Sequence, residues 1–125
     1  LGDFVMENDT VLRMPQDNYL RQGLNWEGTP AQFYDARSAN ETKGMPANQI
    51  QWEATMVKLT IKNRKLGEIR LHPLDLGFKR SRGTRGRPMP ATGQVAKTVL
   101  ERMQHMSKKF GTEVQIEGET AAVKL

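Results

Sequence analysis

Cysteine is absent from the 125 residues, which excludes disulfides, thiolate metal ligation and a cysteine nucleophile together. Histidine is almost as scarce. His72 and His105 are the only two, and neither has a second histidine or a carboxylate at a ligand spacing such as HExxH. His72 precedes a proline and His105 lies beside an apolar stripe, so both are expected to be structural or solvent-facing. No Gly-x-Ser-x-Gly elbow and no GxxxxGK[ST] phosphate cradle occurs. Aromatic residues make up 6% of the chain, and only Phe78 adjoins the basic run over 79–87. Proteins that grip single-stranded nucleic acid interleave aromatics with cations, so nucleic acid is a poor candidate partner. No apolar run approaches the roughly 18 residues that a membrane-spanning helix needs. The visible residues therefore name no reaction, and the chain is not expected to be catalytic alone.

What is present is ordinary in amount and uneven in distribution. Hydrophobic residues are 37% and charged residues 26%, enough for one modest core. The net charge of +5 conceals a division along the chain. Residues 1–57 hold four basic and eight acidic side chains, residues 58–88 ten basic and two acidic, and the remainder five and four. One middle segment thus carries the basic excess and predicts a local surface facing anions. The chain opens on Leu1 with no charged-then-apolar signal pattern, which is expected of a processed or truncated product.

The periodicities predict an α+β protein in which β-hairpins flank one long helix. Short strands are expected over 1–7 and 10–14, about Asn8-Asp9, and a brief helix over 17–22 capped by Asp17 and left through Gly23. Thr29-Pro30 predicts a second helix through Arg37, with a hydroxyl cap followed by a proline whose missing N–H costs nothing there. Residues 38–48 read as a loop. Val57, Leu59 and Ile61 alternate with Lys58, Thr60 and Lys62, which predicts a strand with one buried face. Trp52, Ala54 and Met56 alternate in the opposite phase and predict a bulge near Met56-Val57. The strand should turn at residues 63–65 and return over 66–74 with Ile69 and Leu71 inward, Pro73 restricting its far end to an edge or a terminus. Thr92 to Gly111 bounds the long helix. Its stripe is Ala96, Val99, Met103, Met106 and Phe110, expected to cover Leu59, Ile61 and Ile69. A last hairpin turns at Gly118-Glu119. Trp26 and Trp52 are expected in packed positions.

The candidate binding residues are Lys79, Arg80, Arg82, Arg85 and Arg87, in a loop over 77–90 interrupted by Gly83 and Gly86. Guanidinium groups grip carboxylate or phosphate as flat two-pronged donors, and glycines let backbone N–H groups approach, so the loop suits a polyanion. The competing reading is a solvated loop, or arginines that pair internally with acidic residues such as Asp35 or Asp75. No residue qualifies as catalytic or as a metal ligand.

Several segments, in order, resemble the tail of bacterial CapA-type poly-γ-glutamate synthesis proteins. Leu1-Gly2-Asp3-Phe4-Val5 is similar to the "LGNF" strand that follows the family's last metal-ligand motif. Tyr34-Asp35-Ala36-Arg37-Ser38 and Ile69-Arg70-Leu71-His72-Pro73-Leu74-Asp75-Leu76-Gly77 resemble later segments, as do Arg85-Gly86-Arg87-Pro88 and Ser107-Lys108-Lys109-Phe110-Gly111-Thr112. The resemblance implies a single C-terminal segment, residues 1–125, of a longer protein with a calcineurin-like metallophosphoesterase fold. It implies a parent tied to capsule synthesis or export at the bacterial cell envelope. The family's metal-binding histidines and aspartates precede the LGNF-like strand, so a divalent metal would belong to the parent and no cofactor to this chain. Asp3 replaces the family's usual Asn and would add a negative charge near that site. Two functional expectations follow from different classes: an accessory portion of a metal-dependent enzyme, partnered by the remainder of the protein and by poly-γ-glutamate or another polyanion; or a non-catalytic anion- or polymer-binding module.

Overall fold

The computed structural model describes residues 14–125, so most of the strand pair expected over 1–14 lies outside the described residues. Helix α1 (Gln16–Arg21) begins after Pro15, with no side-chain cap, and Asp17 falls in its first turn rather than at its cap. Helix α2 (Pro30–Ser38) starts as the sequence predicts. Thr29 accepts from the Gln32 amide, and the Gln32 side chain accepts from the Thr29 amide in return, a reciprocal capping box. Residues 38–48 are not all loop. A short 3₁₀ turn, Met45–Ala47, falls within them, and a second, Gln49–Trp52, capped by the Asn48 side chain, follows and leads into the sheet.

The fold is α+β, an antiparallel sheet with one long helix across it. Strands β1 (Glu53–Lys62) and β2 (Lys65–Asp75) form a long hairpin. The tiny β3 (Met89–Pro90) adds to the end of β2, and β4 (Val114–Glu117) with β5 (Thr120–Val123) completes the order β1-β2-β5-β4. Helix α3 (Gly93–Ser107) continues as a 3₁₀ turn, Lys108–Phe110, and ends at Gly111 with φ +69°, a conformation natural to glycine. Its Thr92 makes no side-chain cap; the Gly93 amide donates instead to Glu119 Oε1 at 2.7 Å, from the β4–β5 turn.

Leu71, Leu100, Val114 and Ala121 form the buried core, with Val57, Ile69, Met103, Ile116 and Val123 packed around them. Leu100, fully buried, lies off the expected Ala96–Val99–Met103 stripe and widens it. Further buried side chains lie outside that cluster. Tyr19 and Phe33 pack at 5.4 Å between ring centroids, and Trp52 and Leu76 are buried. Trp26, expected to be packed, is exposed.

Four expectations need correction. The β1–β2 pairing is regular at Met56-Val57, and its irregularity lies between Thr60 and Ile61, where Gly67 is the extra residue of β2. Trp52 precedes the strand, and Ala54 and Met56 lie within it on the face opposite Val57 and Leu59, so no change of phase occurs there. Leu59 and Ile61 are 56% and 67% exposed, and Met106 and Phe110 are likewise uncovered. For Ile61 the cause is length: 15 helical residues span about 22 Å and 11 strand residues about 36 Å, so the hairpin overruns the helix, while Leu59, level with Ile69, lies on the outer strand β1. Finally, Pro73 lies inside β2, which is flanked on both sides. Pairing with β5 stops at Leu71 and pairing with β3 starts at Leu74, and the Pro73 carbonyl faces that gap to accept from Ala91 at 2.9 Å. A strand residue's N and C=O point the same way, so the missing N–H falls on the Ala91 side, past the end of the β5 ladder and at the margin of the two-residue β3, where one hydrogen bond is forgone.

Candidate functional site

The basic loop runs from the end of β2 to β3 and folds back against α2 and the segment after it. Its path is set by backbone hydrogen bonds. The Gly77 amide donates to Asp75 Oδ1 at 2.7 Å, and the Gly86 amide donates to the Leu76 carbonyl at 2.7 Å. Gly77 has φ +91°, and a Cβ there would lie 2.9 Å from Arg80 Cδ and 3.2 Å from Arg85 Cα. Only glycine meets both demands. Ser81 and Thr84 share a hydrogen bond that tightens the turn between them.

Three of the five candidate cations are paired with carboxylates of this chain, and one of the three, Arg85, is buried. Arg80 pairs with Asp75 at the strand end. Arg82 pairs with Asp35 of α2 and reaches Glu41 at 3.4 Å. Arg85 donates to the same Glu41 at 2.5 Å, lies 5.5 Å from the centre of the Trp52 ring, and has a side chain only 6% exposed. Glu41 is brought into place by a left-handed stretch, Ala39, Asn40 and Glu41 all having positive φ. Ser38 Oγ anchors that stretch: it donates to the Tyr34 carbonyl at 2.7 Å and accepts from the Glu41 amide at 3.0 Å. The hydrogen bond from Arg85 holds the Glu41 carboxyl below its ordinary pKa, against the opposing pull of burial, with Arg82 adding to the depression.

The other two candidates stay outside this clasp. Lys79 sits 5.3 Å from the centre of the Phe78 ring, and Arg87 is exposed. The arrangement can therefore do two things: tie the loop to α2, and present Lys79 and Arg87 to solvent. The sequence signalled Asp35 and Asp75 as internal partners but not Glu41, which bridges two arginines. Its only advance sign was the acid excess of the first third.

Histidines do not assemble a site. His105 is exposed on α3, while His72 lies mid-sheet with a buried Nε2 that has no hydrogen-bond partner among the described residues. Among the described residues there is no group of three or more histidine, aspartate or glutamate side chains able to hold a metal ion. Among them, too, no helix is long and apolar enough to cross a membrane.

No family model matches the chain. Two curated proteins of Sinorhizobium fredii, the uncharacterized proteins y4sH and y4uA, are each 30% identical to it over 100 residues, covering 73% of this chain and 22% of theirs. The chain thus spans little more than a fifth of the length of the curated relatives it matches.

Proposed function

We propose that this chain is the C-terminal portion of a CapA-type protein of poly-γ-glutamate capsule synthesis, an accessory part of a calcineurin-like metallophosphoesterase fold whose catalytic metal would be bound elsewhere in the parent. The ordered set of family-like segments carries this reading. Two of them have evident physical work in the fold. The 69–77 segment supplies the central strand, its proline gap and the Gly77 turn, while the 85–88 segment supplies the buried Arg85 clasp and the Gly86 hydrogen bond. The match to proteins several times longer agrees with a part that works alongside other domains. On this reading the piece orders a sheet and a helix for the parent, and the first two-thirds of the basic loop is structural.

The test is removal and restoration in a poly-γ-glutamate producer carrying the full-length parent. Deleting the segment should abolish polymer output, and the isolated chain with manganese and generic phosphoesters should show only background hydrolysis. Metal-dependent turnover by the isolated chain, lost on changing His72 or His105, would sink the accessory reading; undiminished polymer output would sink the capsule assignment. The alternative, a polymer-binding module, is favoured by one observation: Lys79 and Arg87 remain outward beside the clasp. It requires direct, salt-sensitive binding of poly-γ-glutamate that Arg87→Gln weakens while Arg80→Gln does not.

A further inference from the structure

The strongest unassigned surface lies at the other end of the molecule. Helix α3 starts beside the Pro73 end of β2, where Ala91 bonds to the Pro73 carbonyl, and runs toward the Ile69 end, where Met103 packs in the core cluster with Ile69 and Val123. Phe110, about two helical turns past Met103, thus ends up at the same end as the β1–β2 turn. Ile61 and Leu66 are paired across that hairpin and stand 67% and 45% exposed, while Phe110 is 84% exposed. Around them are Lys62, Arg64, Lys65, Lys108 and Lys109, all exposed and, among the described residues, in no ion pair. Nearby acids are already matched: Glu68 pairs with Arg70 at 2.8 Å and Glu113 with Lys124 at 2.5 Å.

We propose that this end docks on an anionic lipid surface, with Ile61, Leu66 and Phe110 entering the headgroup region and the five cations meeting lipid phosphates. The inference stands apart from the capsule assignment. Protruding apolar side chains ringed by cations are the usual composition of an interfacial anchor, and they sit here on a projecting turn and a helix end rather than in a cleft. Four of the five cations are lysines, point charges suited to a diffuse field of headgroups more than to two-pronged carboxylate recognition. A soluble polycarboxylate offers no apolar phase to receive Phe110. A second copy of the chain would bring five like charges against five, which disfavours self-association.

Vesicle co-sedimentation of the 125-residue chain, at low salt, tests this with phosphatidylcholine alone and mixed with phosphatidylglycerol. Binding to the mixed vesicles and not to pure phosphatidylcholine is expected. Each cation strengthens such binding about five-fold, so the K62Q/K65Q pair should weaken it about 25-fold. The I61S/F110S pair should also weaken it at equal salt, and both pairs should keep the wild-type melting temperature because all four side chains are exposed. Three results would overturn the proposal: no binding to the mixed vesicles; binding that I61S/F110S leaves unchanged, which would mean charge attraction alone; or soluble poly-γ-glutamate competing fully with vesicles while binding I61S/F110S as well as wild type, which would mean a polyanion site.

Discussion

Arg85→Gln separates a structural clasp from a ligand-binding loop. The Arg85 side chain is 6% exposed, donates to Glu41 at 2.5 Å and lies over Trp52. Removing one member of a fully buried pair costs about 3–5 kcal/mol because the other charge is left uncompensated. Glu41 is one-third exposed and keeps Arg82 at 3.4 Å, so water and the second arginine recover part of that loss. The expected cost is about 2 kcal/mol, with lost contact over Trp52 included. For a domain of this size that lowers the melting temperature by about 8 °C. Arg87→Gln is the control. It removes an exposed cation with no ion-pair partner among the described residues, and it should stay within about 0.5 kcal/mol of wild type. Circular-dichroism melts and urea titrations of both variants read the difference, and Glu41→Gln closes a double-mutant cycle whose coupling should be favourable. Equal melting temperatures for Arg85→Gln and Arg87→Gln would refute the Arg85–Glu41 clasp and return Arg85 to the solvent or to a ligand.

Other expected outcomes concern pH, the core and the turn. The Glu41 carboxyl titrates below its unfolded value of about 4.3, so its stabilisation is present above that pH and is lost as pH falls through the lower folded value. Wild type should therefore lose more stability than Glu41→Gln between neutral pH and the acid range; parallel pH–stability curves would contradict this. Leu100→Ala, at a fully buried core position, should cost about 3 kcal/mol in urea unfolding, and a cost under about 1 kcal/mol would mean that the core collapses around the gap. Gly77→Ala should cost about 2 kcal/mol, since φ +91° and a 2.9 Å approach to Arg80 Cδ both oppose a methyl group. A neutral Gly77→Ala would show that the loop path has slack.

Local signals were legible in the chain and distant ones were not. Thr29-Pro30 announced a helix because a cap and its proline act within four residues, and Gly111 and Gly118 marked a helix end and a hairpin turn for the same reason. Alternation in β1 identified a strand, but alternation says only which residues share a face. Whether Ile61 is covered depends on where α3 stops, and whether Leu59 is covered depends on how far α3 reaches over the outer strand, and α3 begins more than thirty residues on in the chain. Pro73 misled for a related reason: its tolerance depends on the gap between two other strands. At the loop, residue type showed that the cations were there, while their engagement was decided by partners 41 and 47 residues away in Glu41 and Asp35. The Glu53–Arg102 pair, 2.6 Å long with the Glu53 side chain 4% exposed, gave no local sign at all.

The charge division along the chain then has a spatial meaning. The middle segment's ten cations do not form one patch. Arg82 and Arg85 reach back to Asp35 and Glu41 of the acidic first third, so part of the opposition between the two stretches is cancelled by folding and attaches the helical lobe to the sheet. Arg70 and Arg80 are matched by Glu68, Glu117 and Asp75. Apart from Lys58, exposed in mid-strand on β1, what remains is split between the two ends of β2: Lys79 and Arg87 beyond Asp75, and Lys62, Arg64 and Lys65 at the hairpin turn, where Lys108 and Lys109 join them from α3. β2, 11 residues long, spans about 36 Å, several Debye lengths at physiological salt, so the two surviving clusters act independently. A net charge cannot distinguish a cation that closes a loop from one that meets a partner. The two differ in what a neutral substitution does: at Arg85 it should move the melting temperature, and at Lys62 or Lys65 it should move only binding.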